Sequence, residues 1–77
     1  KSLLPAGITN IEGDFQRGDT VEIYDLEGNS IGRGLSNFDA SDCRLIIGCQ
    51  GHEIAKILNR NADEVVVHRD NLVISAN

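Results

Sequence analysis

Tryptophan and methionine are missing from this chain, and its aromatic residues are limited to Phe15, Phe38 and Tyr24. Any interior must therefore be built mainly from Ile, Leu and Val, and little is available to stack on nucleic-acid bases. Seven lysines and arginines stand against twelve aspartates and glutamates, for a formal charge of −5. That balance lacks the basic footprint expected of a protein that grips a phosphate backbone, although local clustering stays open. The two cysteines, Cys43 and Cys49, are too few to staple a small secreted scaffold, so a reducing cytoplasm is the expected setting. No apolar run approaches the roughly 20 residues of a membrane-spanning helix, and no secretory leader is visible. A chain of 77 residues makes one domain, burying roughly 60% of its extended surface. There is room for one thin core, and none for a second lobe to close over a substrate. The chain starts at Lys1, not methionine, which suggests a piece of something longer.

What is present is turn chemistry followed by alternation. Gly13 and Gly18 permit sharp reversals, Phe15 between them is a large apolar anchor, and Asp19 can bond its own downstream amides. Val21 and Ile23 then alternate with Glu22 and Tyr24, as a half-buried strand requires. Residues 25–29 form a hairpin loop with Gly28 supplying positive φ, and Ser30 to Leu35 return as a strand. Gly32 and Gly34 share one face of that strand, so something large must approach it, and a covering helix is the expected neighbour.

Upstream, Leu3 to Gly7 reads as an arriving linker and Ile8 to Glu12 as a short strand. Downstream, Asp39 is the expected cap of a helix carrying the stripe Cys43, Ile46, Ile47 and stopped at Gly48. A second short helix is expected from His52 to Asn59, with Ile54, Ile57 and Leu58 inward. Residues 64–68 are strongly β-branched and predict a strand, 69–71 a polar break, and Leu72 to Ile74 a last strand. The expected fold is mainly β with two short helices: an open pseudobarrel of about five to six strands over 8–77, after a linker over 1–7.

Several strings, in order and spacing, carry a family resemblance: Ser2-Leu3-Leu4-Pro5-Ala6-Gly7-Ile8, Gly13-Asp14-Phe15-Gln16-Arg17-Gly18-Asp19, Gly32-Arg33-Gly34-Leu35-Ser36-Asn37-Phe38, the Glu53-Ile54…Ile57-Leu58 helix and His68-Arg69-Asp70-Asn71-Leu72. Together they resemble the C-terminal PUA domain of bacterial gamma-glutamyl kinases (glutamate 5-kinases). The resemblance implies a pseudobarrel and a parent enzyme that phosphorylates the side-chain carboxylate of glutamate with ATP and magnesium, opening proline synthesis. It places the ATP and glutamate sites in a preceding kinase domain, so no catalytic residue, metal ligand or cofactor is assigned to this chain. The implied role is accessory: regulation, assembly, or RNA binding as in the PUA domains of RNA-modifying enzymes. Expected partners are the kinase domain and neighbouring subunits, with RNA as the alternative. Two positions depart from the pattern: Phe38 stands where a tyrosine is expected, and Gly51 where a small polar residue usually opens the second helix.

Other motifs dissolve on inspection. His68-Arg69-Asp70 spells a protein-kinase catalytic triplet, but the asparagine, magnesium positions and two-lobed fold it needs do not fit here. Cys43, Cys49, His52 and His68 lack the repeated close pairs of a structural zinc site. A Cys43–Cys49 bridge would pull Cys43 off the apolar helical stripe. Glu12, Asp14 and Asp19 suit turn hydrogen bonding better than cation binding. The candidate RNA- or partner-facing set is Arg33, Gly34, Arg44, Lys56, Arg60 and Arg69, and Gly13, Phe15, Gly18, Asp19 and Gly32 are expected to shape the barrel.

Overall fold

The alternation of Val21 and Ile23 with polar neighbours builds strand β1 (Thr20–Tyr24), and the returning glycine-rich segment builds β2 (Ser30–Leu35). In the computed structural model, which describes residues 1–75, the two pair antiparallel with Val21 opposite Gly34 and Ile23 opposite Gly32. The domain range expected over 8–77 thus runs two residues beyond the described ones. The register slips between Ile23 and Tyr24 before the loop. In that loop Asp25 Oδ1 accepts from the Glu27 and Asn29 amides, both at 2.9 Å, and Gly28 turns the chain at φ +88°. The Asn29 amide is the chief reason the Asp25 carboxyl titrates below its ordinary range, and Glu27 and Gly28 amides add to it.

A third strand, β3 (Leu72–Ile74), lies antiparallel on the other side of β2, giving the order β1-β2-β3. Gly32 faces Ile74 and Gly34 faces Leu72 in the register. A methyl group on Gly34 would sit 2.5 Å from both the Asn71 carbonyl oxygen and Val67 Cγ1, and one on Gly32 would sit 2.8 Å from the Val73 carbonyl. The close approach expected at these glycines is real, but no helix makes it. The turn into β3, β3 itself and Val67 fill the space.

Helix α1 (Ala40–Ile46) begins where Asp39 Oδ1 accepts from the Asp42 amide at 2.8 Å. It ends at Ile47, followed by Gly48 at φ +82°. The second helix is shorter than the pattern suggested. Residues Gly51–Glu53 form a 3₁₀ turn and only α2 (Ile54–Leu58) is α-helical, closed by Asn59 in the left-handed conformation at φ 56°. Glu53 Oε1 accepts from the Gln50 amide at 2.7 Å and so supplies the cap that Gly51 does not. Glycine at 51 has a packing reason, because a Cβ there would stand 2.5 Å from the Glu64 carbonyl oxygen.

Phe38, Cys43, Ile46, Ile54, Val66 and Val67 form the dry core, each no more than 3% exposed. Ser36 is buried beside them with its hydroxyl satisfied, donating to the Phe38 carbonyl at 2.6 Å. Val21 from β1, Phe15 from the turn before it, and Ile8, Ile11 and Leu58 are partly buried against this cluster.

Two expected strands do not form. Residues 8–12 carry no strand pairing; Ile8 and Ile11 are half-buried against the core and the Ile8 amide closes the Pro5–Gly7 3₁₀ turn. Residues 64–68 contribute one bridge, Val67 with Leu3. The ladder stops there because Pro5 turns the partner segment into that 3₁₀ turn. The Val65 and Val66 carbonyls instead accept from the Asn37 side chain (3.1 Å) and backbone amide (2.8 Å).

Candidate partner-facing surface

The six residues proposed to face RNA or a partner stand on four parts of the fold. Arg33 is exposed on the outer face of β2, opposite Glu22 on β1 and Val73 on β3. Gly34, next to it, is buried beneath Asn71 and Val67 and offers no open face to a phosphate. Arg44 on α1 reaches back to donate to the Gly13 carbonyl. Arg60, just past α2, donates to Asp42 Oδ2 at 2.6 Å and ties the two helices together. Lys56 is exposed on α2, and Arg69 opens the 3₁₀ turn before β3, where its amide donates to Ser2 Oγ. Two of the five cations are therefore already engaged with protein oxygens.

Among the residues expected to shape the barrel, Gly13 and Gly18 both take positive φ, +78° and +90°. Asp19 Oδ2 accepts from the Gln16 amide at 2.8 Å, three residues upstream and not downstream as expected, and so closes the turn leading into β1 from behind. The Phe15 carbonyl accepts from Ala40, linking that turn to the start of α1.

Arg17, outside the candidate partner-facing set, is exposed in the turn before β1. It lines an open hollow of about 330 Å³ with Asn37, Phe38, Arg60, Asn61, Ala62 and Asp63. Its position between two turn glycines marked it as scaffold, and only the exposed turn shows that its charge is available. A second hollow, of about 410 Å³, lies along the sheet between Glu22, Arg33, Val73 and Ile74. In the hollow along the sheet Ser30 Oγ donates to Glu22 Oε2 at 3.0 Å, an exposed hydroxyl–carboxylate pair on the sheet surface. The residues lining the hollow at Arg17 include no hydroxyl, thiol or amine nucleophile. Burial pushes both thiols up, that of Cys43 inside the core and that of Cys49 at its edge, which makes each a poorer nucleophile at neutral pH. His68 Nδ1 accepts from the Asp70 amide at 3.1 Å and so caps the 3₁₀ turn, which is a structural use of the His-Arg-Asp triplet.

The family pattern described as the PUA domain matches residues 1–58. The chain belongs to the PUA domain family. Its relatives include the glutamate 5-kinase of Synechococcus elongatus, 52% identical over 75 residues, which cover 97% of this chain and 20% of the relative. The glutamate 5-kinase of Dictyoglomus thermophilum is 53% identical over 74 residues, covering 96% and 20%. That of Brucella ovis is 46% identical over 76 residues, covering 99% and 20%. The PUA domain thus spans about one fifth of the length of the curated relatives it matches. Its sheet and helix pair are mainly β with two short helices, in line with the family, and no helix among the described residues is long and apolar enough to cross a membrane.

Proposed function

We propose that this PUA domain is a non-catalytic accessory part of a glutamate 5-kinase. The parent would transfer a phosphoryl group from ATP, with magnesium, to the side-chain carboxylate of glutamate, and the domain would tune its activity or assembly from the cytoplasm. The observation that carries this reading is the 46–53% identity to glutamate 5-kinases along nearly the whole chain. The surface supports it. Tyr24, Ile31 and Val73 are 59%, 43% and 60% exposed, an amount of apolar surface better suited to a protein neighbour than to a phosphate backbone. An open pseudobarrel of five to six strands remains the family-level reading of the fold, with the Leu3–Val67 bridge as a site of strand-like pairing outside the sheet.

The test is glutamate-dependent ATP turnover by the full-length protein, with and without this domain. Turnover that persists without the domain, together with altered oligomeric state or effector response, supports the accessory role. Loss of the chemical step in a properly assembled truncated enzyme would refute it. Binding of labelled tRNA by the intact domain, measured by anisotropy at about 50 and about 200 mM salt, separates the RNA reading. Saturable binding with a steep salt dependence would put RNA first.

A further inference from the structure

Residues 2–5 are tied into the fold at separate places. Ser2 Oγ accepts from the Arg69 amide at 3.0 Å, at the turn that starts β3. Leu3 donates to the Val67 carbonyl and accepts from the Val66 amide, both at 2.8 Å. The Pro5 carbonyl accepts from the Gly48 amide at 2.7 Å, just past the end of α1. Pro5 is fully buried and Leu3 packs against the core. A segment held this way has no freedom to swing as a tether. Leu4, between the two anchors, nevertheless keeps 51% of its surface exposed, and Leu45, in the last turn of α1, keeps 64%.

We infer that this segment is a fixed joint, and that Leu4 and Leu45 are the docking surface for the polypeptide preceding residue 1 in the full-length kinase. The inference rests on the kinase reading above. The relatives are about five times the length of the match, which supplies an occupant of domain size. In a kinase with this domain at its C-terminus, that polypeptide leaves the fold within a few residues of Leu4. Covalent attachment through so short a connection gives a local concentration on the order of millimolar, at which a modest apolar contact is occupied. Leu4 is exposed within the pinned chain itself, and Leu45 is exposed three residues before Gly48, whose amide holds Pro5, which is a reason for contact there. Leu26, 88% exposed in the β1–β2 loop, has no bond to this segment and provides the control.

The experiment uses the full-length kinase. The double variant Leu4→Asp/Leu45→Asp should release the PUA domain by limited proteolysis at least about ten times faster than wild type, while Leu26→Asp leaves the rate unchanged. Hydrogen exchange at the Ser36 and Asn37 amides, which bond Asp19 and Val66 away from the joint, stays unchanged in the double variant if the core is intact. A second variant, with a four-residue Gly-Ser spacer inserted before Lys1, should also speed release without touching either leucine. Wild-type cleavage rates in both variants would overturn the inference in favour of a free tether. Light scattering that shows the isolated chain as a dimer, and the double variant as a monomer, would overturn it in favour of a second copy. Absence of glutamate-dependent ATP turnover with accelerated release intact would sink the kinase reading alone.

Discussion

The two sides of this PUA domain are built differently. On one side α1, α2 and the Val65–Val67 stretch enclose a core in which Ile46, Ile54 and Val67 have no exposed surface. On the other side the three-stranded sheet leaves Val73 and Ile74 60% and 65% exposed, although their sequence is as apolar as that of the core. Hydrophobicity alone does not decide burial here. The helical side is dry because the segments around it cross it several times. Val73 stands with Arg33 on the outer face of the sheet, and Ile74 lies beside Gly32 at the end of a strand only three residues long, so neither reaches the core.

That contrast can be broken most directly by paired truncations. Ile46→Ala should cost about 2–5 kcal/mol, because it leaves a cavity in a fully packed site. Ile74→Ala, equal in chemistry but on the open side, should cost less than about 0.5 kcal/mol in the same urea titration. Similar midpoints for the two variants would show that the sheet is covered in solution. Gly34→Ala tests the seam between the sides, since the added methyl meets Val67 from the core and the Asn71 carbonyl from the sheet turn. It should cost about 1–3 kcal/mol, because a backbone carbonyl cannot step aside as a side-chain tip does.

Asp39→Ala removes the side-chain cap of α1 and should cost about 1 kcal/mol, with loss of amide protection at Asp42 read by hydrogen exchange. The smallest effect concerns Asp25 on the sheet side. Its folded carboxyl titrates below the ordinary 3.8. The stability it contributes is therefore complete at neutral pH and fades as pH falls from about that value through the lower folded one. The β1–β2 loop amides should lose protection in that acid range before the α1 amides do, and Asp25→Ala should abolish that difference.

The parts legible in the sequence were those whose causes are local. The β1–β2 hairpin follows from alternation and Gly28, and the start of α1 from Asp39 bonding three residues ahead. The parts that were not legible depend on distant partners. Gly51 looked like a missing cap, but the Glu64 backbone needs its space. Residues 64–68 have strand chemistry, yet their partner is cut short by Pro5, sixty residues earlier in the chain. Among the candidate partner-facing residues, Arg60 finds Asp42 across 18 positions and Arg44 finds Gly13 across 31, so neither engagement can be read from spacing. Arg17 is the opposite case: its exposure follows from a local turn, where Gly18 takes φ +90°, yet its neighbours Asn37 and Asp63 in the hollow come from distant segments.

The bond from the Arg69 amide to Ser2 Oγ joins residues 67 positions apart. During synthesis Ser2 therefore waits for a partner made 67 residues later. At about 5–20 residues per second, the Ser2 hydroxyl waits several seconds for the Arg69 amide, whereas the Pro5 carbonyl meets the Ile8 amide almost at once. The β1–β2 hairpin, closed by neighbours, can form long before then. The order of appearance is set by this one long-range closure, and a nascent chain arrested before residue 66 should hold a hairpin and a helix but no finished domain.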